Sequence, residues 1–227
     1  MKHCKLCKGT FHFLDYYHSE IMDGDVCYDC YRLTRKVRPP RVYAIIGLRC
    51  SGKSTIIHQT SNQIPFAHPS KRVTTRRKRI DEIEGDHLFM TEEGFKEMKG
   101  LIHTFRYHQG YMVGFPHDEI ILPLKMGYDV LLTFTDFASF KAMEKEIPMD
   151  SVLISVPKND ILKRLKMRSG ESSMNSTQLG LDSFELSLND AQGKFKHWID
   201  NSDGNQDLAV EKLKEIILKD RLNYSED

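Results

Sequence analysis

The chain alternates short apolar runs with longer segments in which apolar residues recur every three or four positions. Three runs, at residues 42–47, 128–135 and 150–157, have the length and continuity of strands buried on both faces. The amphipathic segments predict helices over residues 52–64, 92–100, 116–127, 137–147, 158–170 and 208–222. Strands separated by helices are typical of β-α-β units, so the pattern predicts an α/β fold with a parallel sheet.

The bulk composition adds limits on class and location. The 227 residues are 40% hydrophobic with a net charge of +1, which suits one sizeable core with a small appendage and excludes a polycation. We find no apolar run near the roughly 20 residues that cross a bilayer and no secretory signal, so we expect an intracellular, cytoplasmic protein. Composition shifts divide the chain into a cysteine-bearing module (1–31), a basic proline-containing linker (32–41) and a main domain (42–227).

A glycine turn lies between the first apolar run and the first helix. Gly47, Gly52, Lys53 and Ser54 satisfy G-x-x-x-x-G-K-[ST]. Glycines let backbone N–H groups face a phosphate chain, the lysine neutralises the β- and γ-phosphates, and the hydroxyl binds Mg²⁺. The alternative is a glycine turn with a surface lysine, but the strand before it and the helix after it favour a nucleoside triphosphate site. The residues predicted to bind the nucleotide are Gly47, Leu48, Arg49, Cys50, Ser51, Gly52, Lys53, Ser54 and Thr55.

Four of the five cysteines form two C-x-x-C pairs, Cys4/Cys7 and Cys27/Cys30. This spacing is typical of a four-thiolate zinc site, with free or redox-active cysteines as the alternative. A module of this size cannot bury enough core to fold alone, so the metal would stabilise it. Because basic residues follow at 32–41, the module either contacts nucleic acid or is a cap or protein-contact surface.

A basic run follows the loop by about twenty residues. Residues 71–79 contain six lysines and arginines and no acid, interleaved with Thr74 and Thr75. Such a run is either a solvated face or a second anion site, and arginine forks match phosphate oxygens. We favour the site of a phosphorylated acceptor.

The run RVTTRRKR, followed by EGDHLFMTEEGF, resembles the acceptor-binding segment of guanylate kinases. HQGYMVGFPHDEI, GYDVLL and ILKRLKMRSG resemble further segments of that family, so the likeness extends over residues 42–222. It implies a three-layer P-loop fold and an ATP- and Mg²⁺-dependent kinase. By this resemblance Lys53, Arg164 and Arg168 are catalytic, the last two as arginines of a lid. The implied acceptor-binding residues are Arg72, Arg76, Arg79, His87, Thr135 and Asp136.

Several departures from the family bear on the acceptor. An alignment by eye puts Thr104 and Thr135 where guanylate kinases recognise guanine with a glutamate and an aspartate, and His87 where they have a tyrosine that touches the acceptor phosphate. A site built for guanine hydrogen bonds should not survive such losses. We therefore expect the acceptor to be a nucleoside monophosphate or sugar phosphate other than GMP. The sequence resembles ribose 1,5-bisphosphate phosphokinase at least as well.

Two further hypotheses remain at this stage. One is a kinase of the same fold that acts on nucleic acid, with the cysteine module contacting the polymer. The other is a non-catalytic binding module, against which the intact phosphate loop argues.

Overall fold

The computed structural model describes residues 39–78, 85–107, 110–169 and 195–222 of the main domain. In the N-terminal module it describes residues 2–4, 8, 10–11, 16–19 and 24–27. We number the elements within these residues. The strands of the module pair as two small antiparallel sheets, β1 with β2 and β3 with β4. Their bounds are β1 (Lys2–His3), β2 (Thr10–Phe11), β3 (Tyr16–Ser19) and β4 (Gly24–Cys27).

The main domain is built on a five-stranded sheet in which every pairing is parallel, with the order β13-β12-β5-β11-β6. β5 lies at its centre and all five of its residues are buried. Such two-sided burial is why the sequence shows continuous apolar runs rather than alternation. The strands are β5 (Val42–Ile46), β6 (Ala67–Pro69), β11 (Asp129–Phe134), β12 (Asp150–Ser155) and β13 (His197–Asp200).

Apolar clusters cover both faces of this sheet. One cluster joins Tyr43 and Ile45 to Ile56 and Leu213, and the other joins Ala44 and Ile46 to the helices on the opposite face. Alternate residues of β5 therefore supply the two cores. The helices are α1 (Lys53–Gln63), α2 (Glu92–Glu97), α3 (Asp118–Lys125), α4 (Phe137–Glu144), α5 (Lys158–Ser169) and α6 (Gln206–Leu222).

A second, four-stranded sheet has the order β8-β7-β10-β9. It contains Arg72 and His87, which the sequence predicts to bind an acceptor, and we call it the acceptor subdomain after that prediction. β7 pairs parallel with β8, and β10 pairs antiparallel with β7 and β9. A hydrogen bond of 2.5 Å between His58 of α1 and Asp86 ties this subdomain to the main domain. Its strands are β7 (Arg72–Thr74), β8 (His87–Phe89), β9 (Leu101–Arg106) and β10 (Met112–Pro116).

A buried ion pair fixes the last helix. Arg221 of α6 donates to Asp129 Oδ2 at 3.0 Å and to Gly127 O at 2.8 Å, while Arg41 N–H donates to Asp129 Oδ1 at 2.8 Å. Removing one partner of such a pair leaves an uncompensated buried charge and costs about 3–5 kcal/mol. This pair therefore anchors the end of α6 to the start of β11.

The predicted α/β class, the parallel sheet and the six predicted helices are confirmed, with helix ends shifted by at most three residues. The sequence pattern missed β6 and β13, which pair at the two edges of the sheet. It also missed most of the four-stranded sheet, in which three strands have only three to five residues. None of the helices in the described ranges is long and apolar enough to span a membrane.

Candidate active site

The loop between β5 and α1 has the geometry of a phosphate-binding turn. Lys53, only 7% exposed, directs its Nζ to Gly47 O and Leu48 O at 2.7 Å each and to Ser51 Oγ at 3.4 Å. Gly47 N donates to Phe134 O at 3.1 Å, which holds the loop against the end of β11. The loop's backbone and the start of α1 together form a site for anions.

Gly52 cannot carry a side chain in this arrangement. Its φ is +86°, in the left-handed region, and an added Cβ would lie 2.4 Å from Asn201 Nδ2. That Nδ2 donates to Ser51 O at 2.7 Å, and Asn201 is almost fully buried. Asn201 therefore holds the loop from the end of β13. Sequence reasoning missed it, because a single asparagine after an unrecognised strand carries no motif.

Arg164 of α5 lies near the same asparagine. Its Nη2 donates to Asn201 O at 2.8 Å and its Nε donates to Asp203 Oδ1 at 3.1 Å. Lys163 Nζ donates to Asp203 Oδ2 at 2.6 Å. These two cations hold the pKa of Asp203 below its ordinary value through hydrogen bonds, first from Lys163 and then from Arg164. Through Asn201, Arg164 is thus linked to the phosphate loop, and its role as a catalytic lid arginine stays a prediction.

The acceptor subdomain presents one face of β7 and β8 toward the end of the parallel sheet. Arg72 pairs with His87 and Thr74 with Phe89 in the register of these strands. Arg72 donates through Nη1 to Thr133 O of β11 at 3.1 Å and through Nη2 to His87 Nε2 at 3.1 Å. Because a guanidinium only donates, His87 Nε2 is the acceptor. Arg76 lies over the Phe89 ring, 5.1 Å from its centroid.

Tyr107 follows β9 of the acceptor subdomain and bonds to residues that follow β11, so it links the two sheets. Its hydroxyl lies 3.1 Å from Thr135 Oγ1 and donates to Asp136 Oδ2 at 3.1 Å. Burial raises the pKa of Tyr107, and the negative charge of Asp136 raises it further. Asp136 is also the N-cap of α4, accepting from Ser139 N and Ser139 Oγ at 2.7 Å each. Tyr107, which sequence reasoning missed, therefore contacts both of the predicted residues Thr135 and Asp136.

The alignment of Thr104 with a guanine-binding glutamate is not supported by its position. Thr104 and Arg106 are exposed, whereas Phe105 between them packs into the buried cluster that contains Phe115. Side chains alternate across a strand, so a shift of one residue exchanges the two faces. Thr104 therefore lies on the outer face of β9, away from the Tyr107 hydroxyl. Side chains of a strand point to the same face at every second residue. If Phe105 faces inward, Tyr107 does too, and this period was the sequence signal for Tyr107.

Some predicted residues fall outside the described part of the chain. Arg79 is one, and Arg168 lies in α5 but its side chain is not described. Within the described residues no group of three or more His, Cys, Asp or Glu side chains could hold a metal ion. Cys4 is buried there, while Cys7, Cys30 and the side chain of Cys27 lie outside the described residues. The zinc site thus stays a prediction.

Comparison with known proteins finds several guanylate kinases. No protein-family model matches the chain. Guanylate kinase of Wolbachia pipientis wMel is 33% identical over 180 residues, which are 76% of this chain and 86% of the relative. Guanylate kinase of Helicobacter pylori strain ATCC 700392 / 26695 is 30% identical over 172 residues, 74% of this chain and 80% of the relative. The crystal structure of guanylate kinase from Anaplasma phagocytophilum shares the fold, with a TM-score of 0.52 at 17% identity over 80% of this chain and 87% of that one.

These relatives correct the sequence-based expectation about the acceptor. We expected a phosphorylated small molecule other than GMP, yet the similar proteins named above are guanylate kinases. The expectation depended on Thr104 standing in for a base-contacting residue, and Thr104 lies on the outer face of β9. The relatives also lend no support to the nucleic-acid alternative. Because they are kinases, the hypothesis of a non-catalytic binding module is wrong as well.

Proposed function

Since the chain belongs to the guanylate kinase family, we propose that it transfers the γ-phosphoryl group of ATP to GMP. It is an ATP-dependent kinase, as its relatives are. Our proposal is that the acceptor is GMP, and it includes the residues that bind GMP.

The main support for this proposal is that two regions suited to bind anions lie close together at the carboxyl ends of the strands of the parallel sheet. Gly47 of the phosphate loop bonds to Phe134 O, and Arg72 of the acceptor subdomain bonds to Thr133 O, the neighbouring residue on β11. Ligands bind at the carboxyl ends of parallel strands in such sheets. A donor phosphate on the loop and an acceptor phosphate on the basic face would therefore approach each other across the end of β11.

On the donor side, Lys53 would neutralise the β- and γ-phosphates and Ser54 would hold Mg²⁺. The metal supplies charge neutralisation along the phosphate chain when it is bound. Arg164, half-buried beside the loop, would exchange its bond to Asp203 for a phosphate oxygen, and Arg168 would act with it from the end of α5. Transfer passes through a loose, charge-rich transition state, so these cations would act by positioning and charge stabilisation.

On the acceptor side, Arg76 and Arg79 would bind the GMP phosphate. Support comes from Arg76, which is held against the Phe89 ring and so is directed along the face of β8. His87 and Arg72 lie next to it on the same face. Thr135 and Tyr107 carry hydroxyls that both donate and accept, and they would contact the base near the Asp136 carboxylate.

The direct test is steady-state formation of GDP from ATP and GMP in the presence of Mg²⁺, with product identified by mass spectrometry. We expect turnover of about 1–10³ s⁻¹, the ordinary range for enzymes. The Lys53→Ala variant is the inactive reference and Lys99→Ala, at an exposed position, is the matched control. Absence of GDP from wild-type protein that still binds ATP would contradict the proposal.

For the N-terminal module we propose a structural zinc ion bound by Cys4, Cys7, Cys27 and Cys30. The turn after Cys4 supports it, because Lys8 N donates to Cys4 O at 2.9 Å and Lys8 has a φ of +61°. This bond brings Lys8 close to Cys4 between β1 and β2. Cys27 ends β4, the second strand of the other hairpin. Four thiolates complete a tetrahedral site.

Metal analysis of the freshly purified full chain tests this second proposal. We expect about one equivalent of zinc, since a four-thiolate site binds one ion. Less than about half an equivalent would contradict it. Cys4→Ser should release the metal, whereas Cys50→Ser, in the phosphate loop, should leave the zinc content unchanged.

A further inference from the structure

Arg72 is a buried arginine whose charge has no acidic partner among the described residues. Only 9% of the residue is exposed, and no described carboxylate lies within ion-pair distance of its guanidinium. Burial lowers the pKa of Arg72, while Tyr107 and Asp86 nearby oppose that shift. A buried cation normally has an anion or several acceptors beside it, because desolvation is costly. The hydrogen-bond acceptors of the Arg72 guanidinium therefore have to be identified.

The guanidinium also has donors to spare. It carries five N–H bonds, and its two hydrogen bonds go to Thr133 O and His87 Nε2, both at 3.1 Å. Three N–H bonds thus lack a partner in the described part of the chain. One contact fixes the planar group against β11 and the other fixes it against β8. The remaining donors are thereby held in a set plane for a ligand with paired acceptors.

The surroundings of Arg72 suit a flat aromatic ligand. His87 and Phe89 of β8 lie with ring centroids 5.8 Å apart, and Tyr107 stacks on Tyr111 at 5.0 Å with an interplanar angle of 23°. Purine bases stack favourably on such rings. Arg76, farther along the run and less buried than Arg72, is better placed for the more strongly hydrated phosphate.

We infer that Arg72 is a specificity-determining residue that binds the O6 and N7 atoms of the acceptor purine. A planar fork of donors matches these two acceptors, as it does in the recognition of guanine in DNA. Hypoxanthine presents the same two acceptors. Adenine presents an amino donor at position 6, which faces the guanidinium donors without a bond. The enzyme therefore accepts 6-oxopurine monophosphates as a class. The guanine 2-amino group contributes little, because both oxygens of Asp136, the carboxylate near the proposed base site, already accept bonds from Ser139 and Tyr107. This inference rests on the proposed function.

The test compares kcat/KM for GMP, IMP, AMP and 7-deaza-GMP at saturating ATP. For the wild type we expect IMP within about threefold of GMP, and AMP lower by about 5- to 150-fold, the value of one bidentate contact. 7-deaza-GMP keeps O6 and loses only the bond at N7, so we expect it to be lower by about 2- to 10-fold. In Arg72→Met, GMP and IMP should fall by a similar factor, and GMP and 7-deaza-GMP should become equal. Arg76→Met is the matched control from the same run, and it should lower all acceptors by one common factor.

The outcomes are distinguishable. If the wild type phosphorylates GMP but IMP falls more than about 10²-fold below it, the 2-amino group is recognised and this inference is wrong while the proposed function stands. Equal loss for all four acceptors in Arg72→Met would likewise overturn it. If neither GMP nor IMP is phosphorylated, the proposed function fails first. ATP affinity and melting temperature of each variant verify that it is folded, and Arg72→Lys, which keeps the charge but loses the fork, should behave like Arg72→Met toward 7-deaza-GMP.

Discussion

The phosphate loop and the acceptor pocket of this kinase are built in different ways. The loop works through its backbone, which Gly52 and the neighbouring Asn201 hold in one shape. The proposed acceptor pocket depends on side chains of short strands: Arg72 bonds to His87 and to Thr133 O of β11, and Tyr107 bonds to Asp136 after β11. A backbone site depends on a few fixed residue types, whereas a side-chain site can change its residues while the fold stays the same.

The largest effect should come from the loop itself. Replacing Lys53 by Ala removes the buried cation of the loop, which we propose neutralises the transferring phosphate, and we expect kcat to fall by roughly 10²–10³-fold. Initial rates of GDP formation measure this. A fall of less than about tenfold would mean that the loop is not the donor site.

The loop's dependence on backbone shape is tested by two glycines with nearly equal φ. Gly52 (+86°) has Asn201 Nδ2 where a Cβ would be, whereas Gly204 (+89°) has open space. We expect Gly204→Ala to lower the free energy of unfolding by about 1 kcal/mol, and Gly52→Ala to lower it by about 2–4 kcal/mol and raise the KM for ATP. Denaturant titration and ATP kinetics provide both readouts. Equal effects at the two positions would contradict the role given to Asn201.

The acceptor pocket should respond to a single hydroxyl. Tyr107→Phe removes the hydrogen bond to Asp136 and should lower kcat/KM for GMP about 5- to 10-fold, with the KM for ATP unchanged. Tyr111→Phe, in the stacked partner ring, is the matched control and should have little effect. If Tyr107→Phe instead raised the KM for ATP, the division between donor and acceptor regions would be wrong.

The smallest effect concerns pH. Burial lowers the pKa of His68 on β6, although Glu119 opposes the shift. The unfolded chain then protonates His68 more readily than the folded one. The stability that the folded state gains from keeping His68 neutral is therefore present above about pH 6.5 and is lost as pH falls below that value. Unfolding free energies from pH 5 to 8 should therefore decline toward acid less steeply in His68→Gln than in the wild type. Equal slopes for His68→Gln and the wild type would contradict this assignment.

The contrast between the two regions also explains what could be predicted from the sequence. The parallel sheet follows from long apolar runs such as residues 42–47, and the loop follows from a spacing that needs no tertiary information. The acceptor pocket was harder because β7 and β8 have three residues each, too few to show a period. On β9 a misassigned face turned Thr104 into a site residue and hid Tyr107.

Partners of buried polar groups were the least predictable feature. Asn201 and Ser51 are 150 residues apart, and Arg72 and Thr133 are 61 apart. Such contacts depend on how the sheets and helices pack, which no local pattern encodes. The sequence predicts Arg72 as an acceptor-binding residue, but its burial and its hydrogen bond to His87 are visible only in the fold.

The measurement that tests the central claim most directly is a competition assay. Equimolar GMP, AMP, CMP and UMP are incubated with ATP, Mg²⁺ and the full chain, and the diphosphate products are quantified by mass spectrometry, with Lys53→Ala as the reference. The account predicts GDP as the dominant product, formed by the wild type roughly 10²–10³ times faster than by the variant. Preferential formation of CDP or UDP, or ADP production without any phosphorylated acceptor, would contradict it.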